Sequence, residues 1–414
     1  MTQAFDFVLW MTRCLVTLWL SLMDLAKAWK PDAGVNKIEV LRIKPSSLEG
    51  SMSLPPSKSH SMRWLILASM DNTPTNIVMN EIGEDVDSMI RCLKQMGMRW
   101  DGKTAIGGNL QRPISVLNCA NSGTALRFLL AQSATCDFPI MLDGDASLRA
   151  RDCSHLLEAL DIEVSKGFGK ENLPLLVKGP FTKEIVEIEV SHSSQYHSAL
   201  MLMAPRTTGF QISTKGHAVS RLHSELTWDL CQKTGATTPG TPWEISCPDV
   251  TMPPDASMMA FTRLAGLVCL NQPDESDSIG HLCNSLDLTD SNDLITPLAA
   301  LLALNQGGTI TGAAHAAHKE SNRIIRTKDL LAQFSINSQT TVDGLIIEGG
   351  QSPQTPEGII KCYGDHRIQM TAIILATHCG AIIESPRLHK VAWPSYLEQL
   401  TLCGLDFQAE IIQP

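Results

Sequence analysis

Apolar positions along the chain recur with two periods, two and about 3.6, and the two alternate. Ile38-Glu39-Val40-Leu41-Arg42-Ile43 alternates like a half-buried strand and opens the first folded unit. Pro55-Pro56 then ends an extended segment, because proline cannot sit inside a helix. Ser57 is a suitable N-cap for a helix whose inner stripe is Met62, Leu65, Ile66 and Ser69. After the run Asn76-Ile77-Val78-Met79-Asn80, a second helix places Val86, Met89, Ile90, Leu93 and Met96 at core spacing and closes at Gly97. The rhythm continues with Ile114 to Leu117 before a helix over Thr124–Ser133, and Ile185 to Val190 before one over Tyr196–Met203. Strand followed by helix, repeated, predicts an α/β or α+β architecture built from like units.

The chain also echoes itself. Thr251-Met252-Pro253-Pro254-Asp255-Ala256-Ser257 repeats the pattern of Ser53-Leu54-Pro55-Pro56-Ser57-Lys58-Ser59, and an apolar helical stretch follows each copy. Two related halves joined by two proline-marked crossings explain this. Lys58 and Arg63 have no basic counterparts at Ala256 and Ala260, so the cations serve something other than folding. At 414 residues the chain is too long for one ordinary core, which also predicts two domains. Asn271 to Ser278 reads as a polar surface loop.

Composition narrows the chemistry. With 43% hydrophobic and 18% charged residues, the chain reads as soluble and well buried. A net charge of -10 argues against a general nucleic-acid surface, so anions must be bound by local clusters of Arg and Lys. The 12 cysteines are scattered without a CxxC pair or Cys/His metal spacing, which suits a reducing cytoplasm. Residues 1–36 stand apart. Phe7 to Leu22 is apolar, but it is short for a membrane span and carries Arg13. A packing helix, an interfacial helix and a start codon placed too far upstream all fit this extension, and no stable membrane partner is expected.

Several helix starts combine a cap with a cation, and free N–H groups at such ends attract anions. Lys58 and Ser59 stand in one first turn, with Arg63 four residues after Ser59 and on the same face. Asn121-Ser122-Gly123-Thr124 precedes Arg127, and Gly123 lets a ligand approach the backbone. Ser193-Ser194-Gln195 offers three hydrogen-bonding side chains suited to a hydroxyl or phosphate, Gly364-Asp365-His366-Arg367 again joins a cap to a cation, and Arg149 and Arg151 form a further basic pair. Lys319 and Arg323 stand at i,i+4, on one face if the segment is helical, with Glu320 as a proton-transfer candidate. Asp293 is either a base or the N-cap of the helix that follows. Together these residues describe a transferase that binds phosphate or carboxylate groups and handles protons with two carboxyls.

At these motifs the chain resembles the EPSP synthase family of enolpyruvyl transferases, from about Lys37 to near Cys403. The resemblance rests on Pro55-Pro56-Ser57-Lys58-Ser59 with Arg63, Asn121-Ser122-Gly123-Thr124 with Arg127, and Gly144-Asp145 with Arg149 and Arg151. It continues through Ser193-Ser194-Gln195, Asp255-Ala256-Ser257, Asp293, Lys319-Glu320-Ser321 with Arg323, and Asp365-His366-Arg367. It implies two domains, each of three βαβαββ units (an inside-out α/β barrel), here 57–253 and 37–56 plus 254–414. The implied reaction joins phosphoenolpyruvate to the 5-hydroxyl of shikimate 3-phosphate and releases phosphate, with no metal and no cofactor, in a cytoplasmic monomer. By position, Lys58, Asn121, Gly123, Arg151, Gln195, Arg323, Arg367 and Lys390 face phosphoenolpyruvate. Ser59, Arg63, Ser193, Ser194, Gln195, Ser220, Asp293, His315 and Lys319 face shikimate 3-phosphate. Lys58, Asp293 and Glu320 carry the catalysis, with Asp293 taking the hydroxyl proton and Glu320 protonating the methylene carbon. Glyphosate, the family's inhibitor, is expected to occupy the phosphoenolpyruvate site beside Gly123.

The chain departs from the family pattern at His315, commonly an asparagine, and at Asn322, usually an aspartate. His223 replaces a frequent phenol, Asn292 a proline, and Val391 a lysine to which Lys390 is adjacent. The sister transferase acting on UDP-N-acetylglucosamine is the nearest alternative. It should show a reactive cysteine in a glycine-bearing loop, and none surrounds Cys119, Cys136 or Cys153. A catalytically silent binding protein on the same fold is the alternative of another class.

Overall fold

A computed structural model describes residues 38–167, 172–274, 286–384 and 387–413. The readings of residues 1–36 and of the end of the 271–278 loop lie outside them. The repeating unit is complete in residues 117–178. Strand Leu117–Asn118, helix Gly123–Ala134, strand Ile140–Asp143, helix Ser154–Leu160 and strands Glu163–Lys166 and Leu175–Lys178 follow in order, with a short turn of helix at Ala146–Arg149. The first two strands pair in parallel and the last two join antiparallel. Ile140, Leu142, Leu175 and Val177 point inward while Met141 and Leu176 face out, the period-two pattern of a sheet with one covered face.

The final unit is completed by the other end of the chain. Strand Ile38–Ile43 inserts between Ala381–Glu384 and Phe407–Ile412, pairing Val40 with Glu384 on one side and Glu410 on the other. The first folded strand therefore belongs with the C-terminal half. Buried residues form two hydrophobic clusters. One runs from Met62 to Met252, and the other joins Leu41–Leu54 to Met258–Leu405. The chain passes between them at the two Pro-Pro steps, where Pro56 bridges Pro254 and the Ser57 N–H donates to Pro253 O at 2.7 Å.

Helix Lys58–Ala68 differs from the one-sided stripe its sequence predicts, for every residue from His60 to Ala68 is buried. Other helices pack around it, among them Gly123–Ala134, Ser194–Met203 and Arg221–Lys233. The helices expected over Thr124–Ser133 and Tyr196–Met203 begin earlier, at Gly123 and Ser194, since Ser122 and Ser193 cap them. The strand expected from Ile114 shrinks to Leu117–Asn118. Only those two residues pair with the neighbouring strand, and Ile114 is 99% exposed.

At their far ends three of these first-cluster helices meet one cation. Arg206 donates from Nη2 to Ser69 O at 3.1 Å, at the end of helix Lys58–Ala68, and from Nε to Gln132 Oε1 at 3.0 Å, near the end of Gly123–Ala134. Gln132 in turn donates to Leu202 O at 2.9 Å, in the last turn of Ser194–Met203. A guanidinium suits this position, since helix C-termini carry partial negative charge. Among the described residues no helix is long and apolar enough to cross a membrane.

Candidate active site

The opposite ends of those helices, with loops of the second cluster, enclose a cavity of about 630 Å³. Lys58, Ser59, Arg63, Gly123, Arg127, Arg151, Ser193, Ser194, Gln195 and Ser220 line it from the first cluster, and Asp293, His315, Lys319, Glu320, Arg323 and Arg367 from the second. Ser57 caps the first helix, accepting from His60 N, and Asp255 receives the Lys58 N–H at 3.1 Å from across the crossing. Lys58 reaches Asp85 at 2.9 Å. Arg63 has no carboxylate partner among the described residues, and donates to Thr227 Oγ1 at 2.6 Å and to the carbonyls of Ser59 and His223. Arg127 donates to Gln195 Oε1 at 2.7 Å and lies over the Tyr196 ring. Arg151 donates to Asn121 Oδ1 at 2.7 Å, and its buried Nε has no hydrogen-bond partner among the described residues.

The second wall is organised by Arg323, which is 1% exposed. Its guanidinium binds Asp293 Oδ1 at 2.6 Å, Asp365 Oδ2 at 2.8 Å and Glu320 Oε2. Asp293 also has Lys319 Nζ at 3.7 Å and Arg367 Nη2 at 3.6 Å. Arg367 donates to Ser257 Oγ at 2.8 Å, so the second Pro-Pro copy supports a cation it does not itself carry. The walls touch at Glu320, whose Oε1 lies 4.0 Å from Arg151 and whose carbonyl accepts from Ser147.

These neighbours set the protonation states. Burial opposes the charge on Glu320, yet Arg323 and then Arg151 hold its carboxyl well below the usual range. Asp365 is likewise depressed, with Arg323 overcoming burial. Burial also opposes the Lys58 charge, but Asp85 and Glu320 raise its pKa. For Lys319 burial prevails over Asp293 and the pKa falls. Burial pulls His315 down to about 3, with Lys319 adding to it.

Some sequence expectations change. Lys319 and Arg323 do not share a helix face. Helix Arg323–Gln333 starts after Lys319, capped by Asn322, and the two cations meet instead on Asp293. The substituted Asn322 thus performs the cap an aspartate would. Asp293 is not the N-cap of the helix that follows, sitting instead inside a 3-10 turn at Asn292–Leu294. Asn121 does not line the cavity but holds Arg151. Lys390 is exposed and off the cavity, because its turn buries His389 and Val391 on either side and leaves the ammonium outward. Asp85 and the ring series His155, His192 and His318 also line the cavity and were not anticipated. Asp85 lies in the first turn of helix Glu84–Gln95, a cue of the same kind as the other helix starts.

Residues 43–269 and 271–400 match the model of EPSP synthase (3-phosphoshikimate 1-carboxyvinyltransferase). The chain belongs to the EPSP synthase family. Among relatives named 3-phosphoshikimate 1-carboxyvinyltransferase, that of Methanothermobacter thermautotrophicus is 28% identical, covering 87% of this chain and 97% of its own. The protein of that name from Korarchaeum cryptofilum is 29% identical, covering 89% and 99%. The fold is that of an EPSP synthase from Acinetobacter baumannii, with a TM-score of 0.68 at 19% identity over 90% of this chain and 100% of that one.

Proposed function

We propose that the chain transfers the enolpyruvyl group of phosphoenolpyruvate to the 5-hydroxyl of shikimate 3-phosphate and releases phosphate. The observation that carries this reading is the pair of carboxylates, Asp293 and Glu320, held on one buried arginine inside a cavity whose facing wall brings Lys58, Arg127 and Arg151. In this reading phosphoenolpyruvate lies among Lys58, Arg151, Arg323 and Arg367 and the backbone of Gly123. Shikimate 3-phosphate lies along Ser193, Ser194, Ser220, His315 and Lys319. Asp293 accepts the hydroxyl proton as the oxygen bonds to the central carbon of phosphoenolpyruvate, and Glu320 gives a proton to its methylene carbon. Elimination then breaks the carbon–oxygen bond to phosphate and returns a methyl proton to a carboxylate. A carboxylate ligand arriving on Arg323 would relieve that cation's hold on Glu320 and raise its pKa, letting it carry the proton it delivers.

We further propose that the parts 57–253 and 37–56 plus 254–414 act as two closing domains of a cytoplasmic monomer. Purified protein should release phosphate only with both substrates present. Glu320→Gln and Asp293→Asn should each lower kcat by about 10²–10⁴-fold, as loss of acid–base groups does. Near-normal turnover in both variants would show that protons travel elsewhere.

A further inference from the structure

Helix Arg221–Lys233 begins at Ser220, and the Ser220 hydroxyl does not cap it. A serine in that position ordinarily accepts an N–H from its own first turn. Here Ser220 takes a left-handed conformation, φ 49° and ψ 41°. Its N–H donates to Thr289 O at 2.9 Å, and its hydroxyl meets His315 Nε2 at 3.2 Å and Asn292 Nδ2 at 3.5 Å. All three partners belong to the other half of the chain. The first N–H of the helix, that of Arg221, donates to Asp290 Oδ1 at 2.8 Å. The same carboxylate receives the Arg221 guanidinium, Nη2 to Oδ2 at 2.6 Å. A strained residue of this kind persists only where its surroundings over-determine it, and the cross-cleft bonds are what do so.

Asp255 does something similar for the Lys58 N–H, but it sits on the covalent crossing beside Pro254. Thr289 and Asp290 have no such tether to Ser220. Their contact forms only when the two halves meet.

We infer that Asp290 is a positioning residue for the acceptor end of the site. By holding the first N–H and the guanidinium of Arg221 from the opposite half, it anchors the start of helix Arg221–Lys233 and keeps the adjacent Ser220 hydroxyl on the cavity wall beside His315. This rests on the reading of Ser220 and His315 as part of the shikimate 3-phosphate subsite. Without the Asp290 carboxylate, the start of the helix loses its anchor on the opposite half, and the Ser220 hydroxyl is no longer held against His315. His315 then loses its Nε2 partner, while its Nδ1 already has none among the described residues. The cations assigned to phosphoenolpyruvate are untouched, so the two substrates should respond differently.

Three variants separate the cap from the ion pair. Asp290→Ala removes both, Asp290→Asn keeps a capping oxygen without the charge, and Arg221→Ala keeps the backbone N–H without the guanidinium. Steady-state phosphate release should show the KM for shikimate 3-phosphate raised about tenfold in Asp290→Ala, the size of a lost cap, with the KM for phosphoenolpyruvate changed less than about twofold. The Asn and Arg221→Ala variants should stay within about threefold of the parent, because asparagine caps as well as aspartate. Equal rises in both KM values, or none in a folded Asp290→Ala protein, overturn the inference and leave the proposed activity standing. If Asp290→Ala does not fold, a tenfold effect in Arg221→Ala or Asp290→Asn overturns it instead, because the ion pair and not the cap would then be responsible; parent-like values in both support it. A parent protein that releases no phosphate with both substrates removes the functional reading and this inference with it.

Discussion

Gly123→Ala is the sharpest probe of the cavity, because the structure says what the added methyl would touch. Gly123 is the first residue of its helix and does not adopt a left-handed φ, so alanine fits its backbone. Alanine is also a better helix former than glycine by about 1 kcal/mol, and the melting temperature should not fall. The new Cβ would lie 2.6 Å from Arg127 Nη1 and 3.1 Å from Arg151 Nη1. Ordinary contact begins near 3.4 Å, so the Arg127 tip must retreat by roughly 0.8 Å and Arg151 by roughly 0.3 Å. Such a retreat loosens the 2.7 Å bond from Arg127 to Gln195 and the matching one from Arg151 to Asn121. Hydrogen bonds from a charged donor contribute about 1.5–3 kcal/mol, so partial loss of one predicts a KM for phosphoenolpyruvate raised about 10-fold. An anion that extends further into the same space meets the methyl itself, at an overpacking cost of about 1–3 kcal/mol. Glyphosate should therefore inhibit the parent competitively against phosphoenolpyruvate, and its inhibition constant should rise more than the KM does. Steady-state kinetics, inhibition curves and thermal melts measure all three quantities. Unchanged kinetics and equal glyphosate sensitivity in a folded variant would refute the steric argument, as would a large drop in melting temperature.

The remaining predictions concern pH and motion. Burial leaves His60 with a pKa of about 4 and His315 and His366 with values of about 3, so all three are neutral when folded and titrate near 6.5 when unfolded. Their stabilisation is complete above about pH 6.5 and is lost as pH falls toward 3–4, at about 2 kcal/mol per histidine between pH 7 and 5. A melting temperature identical at pH 7 and pH 5 would contradict this, since the depressed carboxyls Glu320 and Asp365 lose their contribution only at lower pH. Cations face one another across the cavity, and two anionic ligands give both walls a shared partner. Small-angle scattering should therefore record a smaller radius of gyration with both substrates bound, and an unchanged value would count against closure.

Much of this site was legible in the sequence because helix caps are local. Ser57, Ser122, Ser193 and Asp365 each cap the helix that follows them, and Lys58, Arg127 and Arg367 lie within a turn or so of such starts. Partners contributed from far along the chain were not legible. Nothing near Lys58 announces Asp85 or Asp255, and nothing near Ser220 announces Thr289 or Asp290. Lys390 shows the converse failure, since adjacency in sequence to an expected position says nothing about which way a 3-10 turn directs the side chain. The all-round burial of helix Lys58–Ala68 was hidden for a related reason. Its Ser61 hydroxyl satisfies itself on the Ser57 carbonyl and Arg63 on groups of other helices, so polar residues could occupy what a stripe pattern treats as the wet face.

Arg206 has a consequence for how force would travel through the first half. A helix of the length of Lys58–Ala68 is about 17 Å long, so the guanidinium clasping Ser69 stands well away from the ammonium of Lys58. By pinning that helix and Gly123–Ala134, and through Gln132 the Ser194–Met203 helix, it ties their tails like staves under one hoop. The three mouths can then tilt only together. Spacing among Lys58, Gly123 and Ser193 is inherited from a clasp that lies off the cavity they line, and a loosened hoop at Arg206 would be felt as blurred aim at the rim.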